Sequence, residues 1–325
     1  MHVAGDGVND QANEGPQNSV AVRYVEISAA EAGQRIDNFL IGTLKGVPRT
    51  HLYRLLRKGQ VRVNGGRIKA AYRLAAGDRL RLPPLRVAER DPASVPRAAA
   101  QLLAGRLLHE DDDLLVLDKP SGMPVHAGSG VDFGVIEALR AARPGEKLEL
   151  AHRLDRDTSG CLLVARNRAS LQCLHAALRE GAMQKTYLAL ASGRWRGGER
   201  RVDAALRKGT LSGGERMVRV DADGRAASSR FRPLERFADA TLLRVAIDTG
   251  RTHQIRVHAA HLGHPLVGDD KYGEREANRR LRRLGLKRMF LHAWRLNFAL
   301  GGRDYRLQAP LPVELETVLE RLRNA

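Results

Sequence analysis

A polar loop between two short apolar runs constrains the fold more than any other stretch of this chain. The runs lie at 148–150 and 161–165, and the loop between them, 151–160, has the sequence AHRLDRDTSG. Short apolar runs that end at polar and glycine-containing segments are typical of buried strands. Reactive groups are often found on loops that rigid strands hold in place. The sequence therefore predicts two buried strands with an irregular polar loop between them.

Asp155 is the candidate catalytic group of this loop. A carboxylate acts as a nucleophile or a base only where the fold desolvates it and keeps it ionised, and a nearby arginine usually keeps it ionised. The more common role of an aspartate beside threonine, serine and glycine is to stabilise a turn or a helix end by accepting backbone N–H bonds. Spacing alone does not choose between these two roles.

The charge of the chain predicts a polyanionic partner. The 325 residues carry a formal net charge of +18, and the pI is about 10.7. Nucleic acid is the leading class of partner, and an anionic membrane surface is the alternative. No apolar run approaches the roughly 18 residues that cross a bilayer, and no basic amphipathic stretch carries bulky aromatics on its other face. We therefore expect a nucleic-acid partner and no membrane.

The cysteines and the N-terminal residues indicate the compartment. Cys161 and Cys173 are the two cysteines, and they show neither metal-ligand spacing nor a disulfide pattern. Residues 1–20 are rich in Gly, Asn and Gln, include acidic residues and lack an apolar core, unlike a signal peptide. We expect a disordered tail on a cytoplasmic protein. No sequence feature fixes the oligomeric state, and a monomer is our expectation.

Residues 21–84 have the pattern of a small basic domain. Apolar spacing predicts strands at 21–27 and 78–82, helices at 33–44 and 50–58, and a hairpin turn at Asn64-Gly65. From Arg49 through Arg73 there are no acidic residues, which favours a phosphate-binding face over a merely solvated one. The candidate RNA-binding residues are Arg49, Arg54, Arg57, Lys58, Arg62 and Arg67.

The stretch 85–104 is rich in proline and alanine, and it predicts a linker before a larger domain at 105–325. Strand and helix patterns in the larger domain do not alternate strictly, which favours an α+β domain with a mixed or antiparallel sheet. One helix is predicted to begin after a capping Asn167 and to end at Gly181. The basic stretch 193–216 predicts irregular structure that lies on RNA.

Four histidines, His253, His258, His261 and His264, fall within one short segment. Their spacing would let two of them share a helix face, but zinc takes further ligands such as a cysteine or a carboxylate, and none is near in the sequence. We therefore expect these side chains to make structural hydrogen bonds, and we expect no metal site.

Separately spaced motifs of the larger domain resemble one family. His152–Asp155 and Asp157–Gly160 are similar to the catalytic signature of the RluA-type pseudouridine synthases. The likeness continues at Gln184–Leu190 and Gly250–His258, and Asp118–His126 resembles another motif of the family. Several motifs in the right order are far more specific than any one of them.

The N-terminal domain also carries a resemblance. Arg35–Asp37 and the turn at Gly59–Gly65 are similar to the S-four-type RNA-binding domain, first known from a ribosomal small-subunit protein. Together the two resemblances extend from Arg35 to the C-terminus, with 194–222 poorly matched. That gap leaves the RNA contacts of 194–222 undefined.

The resemblance implies a fold, an activity and residue roles. The fold is α+β, a pseudouridine synthase fold with a central, largely antiparallel mixed sheet, preceded by the small S-four-type α+β domain. The activity is the isomerisation of uridine to pseudouridine in RNA, which needs no cofactor. Asp155 is then the catalytic carboxylate, and Arg251 is the partner that keeps it ionised. Tyr187 stacks on the flipped base, Ile255 packs in the pocket, and Arg153 enters the space that the extruded uridine leaves.

Three details most resemble the C-type branch of the family, which acts on large-subunit ribosomal RNA. These are the ending Arg156–Gly160, the approach Met183–Lys185 to Tyr187, and the added N-terminal domain. The D-type branch, which acts on other uridines of the same RNA, is the alternative.

Two other classes of protein remain open. Asp155 and Asp157 could be the carboxylate pair of a glycoside-cleaving enzyme, although an aromatic content of 4% is low for stacking on sugars. Alternatively, the larger domain could be a non-catalytic platform that binds RNA. Loss of product with retained RNA binding in Asp155→Asn would separate catalysis from binding alone.

Overall fold

The fold is that of a computed structural model, in which the structure describes residues 22–44, 47, 49–85, 95–128, 131–210 and 216–325. The chain divides into two compact units, Met1–Pro92 and Ala93–Ala325. The predicted tail at 1–20 lies outside the described residues, as does the part of the predicted linker at 86–94. In the described ranges, no helix has the length and apolar character needed to cross a membrane.

The first unit has the small hairpin sheet and two helices that its sequence predicts. Asn64 and Gly65 form the turn between its second and third strands with φ angles of 50° and 80°, the conformation that an Asn-Gly hairpin turn requires. Its sheet is antiparallel, in the order β1-β4-β2-β3, where the elements are β1 (Arg23–Glu26), α1 (Ile36–Thr43), α2 (Arg49–Arg57), β2 (Arg62–Val63), β3 (Gly66–Arg67) and β4 (Arg79–Leu82).

The second unit contains most of the described strands and six helices of the described ranges. The strands are β5 (Leu107–Glu110), β6 (Leu114–Lys119), β7 (Glu149–Leu150), β8 (Ser159–Ala165), β9 (Gln184–Ser192), β10 (Arg200–Asp203), β11 (Leu206–Thr210), β12 (Arg216–Val220), β13 (Ser228–Arg236), β14 (Ala240–Ile247), β15 (Leu291–Leu300) and β16 (Arg303–Gln308). The helices are α3 (Arg97–Ala104), α4 (Val135–Ala142), α5 (Arg168–Glu180), α6 (Gln254–His261), α7 (Arg275–Arg283) and α8 (Val313–Arg323).

Ten of these strands form one large sheet. Its order is β10-β13-β14-β9-β15-β8-β6-β5, with β16 beside β15 and β7 beside β8. Among the described strand pairs of this sheet, β15 with β8 is parallel and all others are antiparallel. The prediction of an α+β fold with a largely antiparallel mixed sheet is therefore confirmed.

The two faces of the sheet are covered by different helices. On one face, here called the α6 face, Tyr187, Phe231 and Val245 pack in one core with Ile255 of α6. The opposite face, here called the α8 face, is covered by α5 at one end and by α8 at the other, where Leu190 of β9 joins the core that α8 closes. Because side chains alternate along a strand, the neighbours of Tyr187, Phe231 and Val245 point to the α8 face.

Two segments differ from the structure that the sequence predicts. The predicted linker at 85–104 contains a helix, α3, which begins after Pro96 and buries Leu103 in the core of the second unit. The prolines of this stretch predict an extended linker. Proline is also common where a helix begins, and Pro96 directly precedes the first residue of α3. The stretch 193–216 was expected to be irregular, but it contains β10 and β11, because Val202 and Leu206 are buried.

At the start of β8, the backbone packs very closely beside the polar loop. Gly160 has a φ of 104° and lies opposite Ala293 of the parallel strand β15. A Cβ at Gly160 would overlap the carbonyl oxygen of Ala293. Here β8 and β15 approach so closely that they leave no room for a side chain.

Gly160→Ala is expected to lower the free energy of unfolding by on the order of 3 kcal/mol, because it combines a left-handed φ with a backbone overlap. Gly181→Ala is the control, since Gly181 has a φ of 73° but no atom lies within 4 Å of the point where its Cβ would be. Its cost is expected to be about 1 kcal/mol. Urea unfolding of both variants measures the difference, and equal losses would contradict the overlap.

Candidate active site

The polar loop 151–158 connects β7 to β8 and presents Asp155 on the α6 face. The Thr158 N–H donates to the Asp155 carbonyl at 3.2 Å, so the loop turns back directly after Asp155. The Asp155 side chain is 27% exposed, which leaves it open to a ligand. Asp155 thus lies in a compact turn with its carboxylate still accessible.

Lys119, at the end of β6, holds this loop through hydrogen bonds from its side chain. Its Nζ donates to the carbonyls of Pro120 and Met123 at 2.7 Å and of Arg156 at 2.9 Å. Burial lowers the pKa of Lys119 to about 7, and the charge of Asp157 opposes that shift. The three carbonyl acceptors match the three donors of an ammonium group, so they favour its charged form. Lys119 therefore ties the loop after β6 to the Asp155 loop.

A second anchor holds the residue at which β8 begins. The Ser159 hydroxyl lies 2.9 Å from Nδ1 of His292 and accepts from Nη2 of Arg288 at 3.0 Å. Nε2 of His292 lies 3.3 Å from the Ala309 carbonyl, which can only accept. Nε2 therefore carries the proton, and Nδ1 accepts from Ser159. Burial lowers the pKa of His292 to about 4, which agrees with a neutral ring.

Arg256 of α6 is the cation that faces Asp155. Its Nη1 lies 3.4 Å from Oδ2 of Asp155. Its Nε and Nη2 donate to both oxygens of the buried Asp269 at 2.7 and 2.8 Å, a bidentate pair that fixes the plane of the guanidinium. Burial would lower the pKa of Arg256, but the bonds to Asp269 and the charge of Asp155 raise it. Asp269 thus positions a permanent positive charge beside Asp155.

His253 also lies near the Asp155 carboxylate. Its Nε2 is 3.9 Å from Oδ2 of Asp155, and its Nδ1 is 2.9 Å from the hydroxyl of Tyr272. That hydroxyl accepts from the backbone N–H of Val218 at 2.9 Å, so its own proton is available to Nδ1. Burial lowers the pKa of His253, although the charge of Asp155 opposes the shift. His253 also has a φ of 55°, a costly conformation for a residue with a side chain.

Tyr187 and Ile255, the two residues that the resemblance assigns to the base pocket, are buried on the α6 face. Tyr187 is 8% exposed and Ile255 is 5% exposed, and both belong to the core on the α6 face. Burial, with the charge of Asp155 as the next contribution, raises the pKa of Tyr187. Arg153 is exposed on the loop two residues before Asp155, and its side chain has no hydrogen bond or ion pair within the described ranges. These three placements are compatible with a base pocket beside Asp155.

Arg251 does not have the place that the sequence analysis gave it. Its guanidinium donates to the carbonyl of Ala226 at 3.1 Å, and its backbone N–H donates to the side chain of Gln254. Helix α6 begins only at Gln254, after His253 in the left-handed conformation. Arg251 therefore precedes the helix, whereas Arg256 lies in its first turn, beside Asp155.

Sequence reasoning therefore missed Arg256, Asp269, His253 and Lys119. The sequence contains a signal for Arg256. The motif Gly250–His258 holds two arginines, Arg251 and Arg256, and either could be the positive charge beside Asp155. The distance between Asp155 and each arginine decides between them, and that distance depends on where α6 begins.

Three of the four histidines in the segment 253–264, namely His253, His258 and His264, make individual hydrogen bonds within the described residues. His258 is fully buried between the Ser229 hydroxyl and the Ala204 carbonyl, each at 2.9 Å, and His264 lies 2.9 Å from the carbonyl of Ser192. In the described part of the chain, no group of three or more histidine, cysteine, aspartate or glutamate side chains could hold a metal ion.

The basic candidates of the first unit are placed on its surface. Arg54, Arg57, Lys58, Arg62 and Arg67 are exposed, and Arg49 begins α2 with a side chain outside the described part. Arg62 lies directly opposite Arg67 on β3 and opposite Arg81 on β4, so three arginines share one cross-strand row.

Similar proteins identify this combination of units. Residues 113–261 match the family described as RNA pseudouridylate synthase, and residues 34–80 match the S4 domain. The chain belongs to the RNA pseudouridylate synthase family, and it is an RNA pseudouridine synthase with an S4 domain. It is 54% identical over 312 residues to ribosomal large subunit pseudouridine synthase C of Escherichia coli strain K12, which covers 94% of this chain and 98% of the relative.

Further relatives agree with this membership. The enzyme of the same name from Haemophilus influenzae is 48% identical over 310 residues, which covers 94% of this chain and 96% of that protein. Among solved structures, human RNA pseudouridylate synthase domain containing 4 is 26% identical with a TM-score of 0.58, and the match covers 70% of this chain and 96% of that one. An enzyme of this family is neither a glycoside-cleaving enzyme nor a non-catalytic platform.

The two arginines of the motif at 250–258 give a direct test of the site geometry. Arg256→Gln is expected to lower kcat by at least about 100-fold, because it removes the charge beside Asp155 and leaves Asp269 buried without its partner. Arg251→Gln is expected to change kcat less than about fivefold, since it loses one bond to a backbone carbonyl. Pseudouridine formation at saturating RNA measures both, and the reverse ranking would contradict the assignment.

His292 predicts how stability depends on pH. Its pKa is about 4 in the folded protein and 6.5 as the ordinary value. As pH falls, the unfolded state therefore takes up the proton first, so the contribution of His292 is complete above 6.5 and is lost down to about 4. The loss is on the order of 3 kcal/mol. His292→Gln keeps an acceptor and a donor without titrating, and its stability should fall less steeply between pH 6.5 and 4 in urea titrations. Parallel slopes would contradict the assignment.

Proposed function

We propose that this enzyme converts specific uridines of large-subunit ribosomal RNA to pseudouridine, with Asp155 as the catalytic carboxylate. The observation that carries the proposal is the accessible Asp155 carboxylate, 3.4 Å from Arg256 and on the same face of the sheet as Tyr187. The RNA class rests on the names of the relatives, which are ribosomal large subunit enzymes of the C type. The 54% identity over nearly the whole of both chains favours the C type over the D type.

The reaction depends mainly on one catalytic carboxylate. The N1–C1′ glycosidic bond breaks, the base rotates in place, and C5 bonds to C1′. C5 then loses its hydrogen to solvent and N1 gains a proton, so the composition of the RNA is unchanged. An ionised Asp155 can either add to the sugar or remove a proton from C2′. Because the change is an isomerisation, no redox or nucleotide cofactor enters its balance.

The neighbours of Asp155 supply a positive charge and the base pocket. Arg256, whose guanidinium is fixed by Asp269, places its Nη1 3.4 Å from the Asp155 carboxylate. Tyr187 presents an aromatic ring whose hydroxyl stays protonated, since its pKa is raised. Ile255 packs beside it, and the exposed Arg153 is available to fill the gap in the RNA that an extruded uridine leaves.

The S4 domain adds affinity rather than chemistry in this proposal. The row Arg67, Arg62 and Arg81 and the exposed face of α2 contact phosphates, which fixes the RNA without reading its bases. We also propose that the enzyme acts as a monomer in the cytoplasm, on the grounds that its relatives are named for ribosomal RNA and that its site is formed within one chain.

Release of tritium from RNA labelled at uridine C5 tests the proposal. Wild-type enzyme is expected to release tritium from large-subunit RNA and not from small-subunit or transfer RNA. Asp155→Asn should release none while its Kd for the RNA changes less than about threefold, because the amide keeps the shape but not the charge. Asp157→Asn is the matched control, since Asp157 pairs with the exposed Arg156 and should retain turnover.

Two results would overturn parts of the proposal. Product from Asp155→Asn would remove Asp155 from its catalytic role. Release from transfer RNA alone would keep the chemistry and reject the substrate class.

A further inference from the structure

The α8 face of the sheet carries arginines that the catalytic site does not use. Register places Arg201 of β10 directly opposite Arg230 of β13, and Arg232 of β13 directly opposite Arg244 of β14. The four residues Arg201, Arg230, Arg232 and Arg244 are called here the outer arginine rows. Arg201, Arg230 and Arg232 are exposed, and Arg244 is half-buried.

The outer arginine rows lie on the opposite side of the sheet from Asp155. Phe231 and Val245 pack into the α6-face core with Tyr187. Arg230, Arg232 and Arg244 are their immediate neighbours along β13 and β14, so alternation directs them to the α8 face. Arg201 follows the same rule, because the next residue of β10 is Val202 of the α6-face core. The phosphates next to a uridine bound at Asp155 therefore cannot contact these arginines, which lie on the opposite face of the sheet.

Stability alone does not explain these positions. Like charges directly opposite on neighbouring strands destabilise a sheet. Arg201 and Arg230 are partly compensated by Asp203 at 2.8 Å and Asp248 at 3.2 Å. Arg232 and Arg244 have no hydrogen bond or ion pair with any part of the chain that the structure describes. Two arginines that face each other on neighbouring strands without a carboxylate partner repel each other. A bound polyanion would offset that repulsion.

The dimensions of the rows suit several phosphates of one RNA segment. From β10 to β14 the rows cross two strand intervals, which is roughly 10 Å at the usual strand spacing. Arg230 and Arg232 are two residues apart on β13, so the two rows are offset by about 7 Å along the strand. Arginine is also the side chain whose planar fork best fits phosphate oxygens. Four such side chains within this area favour a partner with closely spaced negative charges.

We propose that the outer arginine rows are a second RNA-contact surface, which binds the phosphates of a segment separate from the one that enters the catalytic site. This rests on the proposed function, because the same large-subunit RNA supplies both segments. A long folded RNA can reach both faces of the sheet, whereas a short hairpin reaches one. The surface would therefore distinguish a large RNA from its isolated fragments through affinity.

The test compares Arg232→Gln/Arg244→Gln with a control that removes the same charge. The control is Lys147→Gln/Arg306→Gln, since both residues are exposed and neither belongs to the outer arginine rows. Filter binding is measured over a salt series with two probes, a full-length large-subunit RNA transcript and a short hairpin cut from it. Thermal unfolding of each variant accompanies the binding data.

On the long transcript, the outer-row variant is expected to bind on the order of tenfold more weakly, with a salt slope smaller by about 1.5, as for two lost phosphate contacts. On the hairpin it should bind like the wild type. Its Tm should be unchanged or raised, because a like-charge pair has been removed. The control variant should match the wild type on both probes.

Three outcomes would overturn the proposal. Unchanged affinity for the long transcript would reject RNA as the occupant and leave an acidic protein as the alternative. An equal loss in the control would show a general effect of charge, and an equal loss on the hairpin would place the rows in the catalytic interface. Because the readout is binding, it stands even where the tritium assay finds no turnover.

Discussion

The bidentate pair between Arg256 and Asp269 is the interaction on which the candidate active site depends. Asp269 is fully buried as a side chain, and it uses both oxygens to hold one arginine in one plane. A buried carboxylate is costly unless a charge and hydrogen bonds compensate it. The Lys271 and Tyr272 N–H groups supply such bonds, at 2.9 and 3.1 Å. The remaining Nη1 of Arg256 is thereby directed at Asp155, and the protein places charge there without relying on a flexible surface ion pair.

The loop that carries Asp155 is held at both ends by buried side chains from other segments of the chain. Lys119 binds three carbonyls around it, and the chain from Arg288 through Ser159 to His292 holds its far end. Both anchors are buried, so their bonds are stronger than in water and their loss would leave unpaired polar groups. In the role proposed for it, the Asp155 carboxylate would benefit from this rigidity, since positioning contributes a large part of catalysis.

The sequence was sufficient for the fold class and for the loop between two buried strands, but not for the charge partner of Asp155. Apolar periodicity and the Asn64-Gly65 turn predict the first unit because they are local properties, and the capped helix from Asn167 is confirmed for the same reason. The identity of the arginine beside Asp155 is not local. It depends on the backbone at His253, which has a positive φ. Because α6 begins only after His253, Arg256 rather than Arg251 lies beside Asp155. Similarly, α3 and β10 form because Leu103 and Val202 find distant apolar partners, which composition cannot show.

Arginines of this protein differ in whether a carboxylate lies within reach. Arg323 has Glu235 at 2.8 Å, whereas Arg232 and Arg244 have no such partner among the described residues. In the first unit, Arg62 faces Arg67 and Arg81, and in the second unit Arg232 faces Arg244. A net charge of +18 could have been spread evenly over the surface, which would lower self-repulsion. Instead, part of it is concentrated in rows where neighbouring strands oppose like charges. An anionic partner would offset the repulsion within such rows, and on that ground we propose the rows, rather than the total charge, as the places where RNA is contacted.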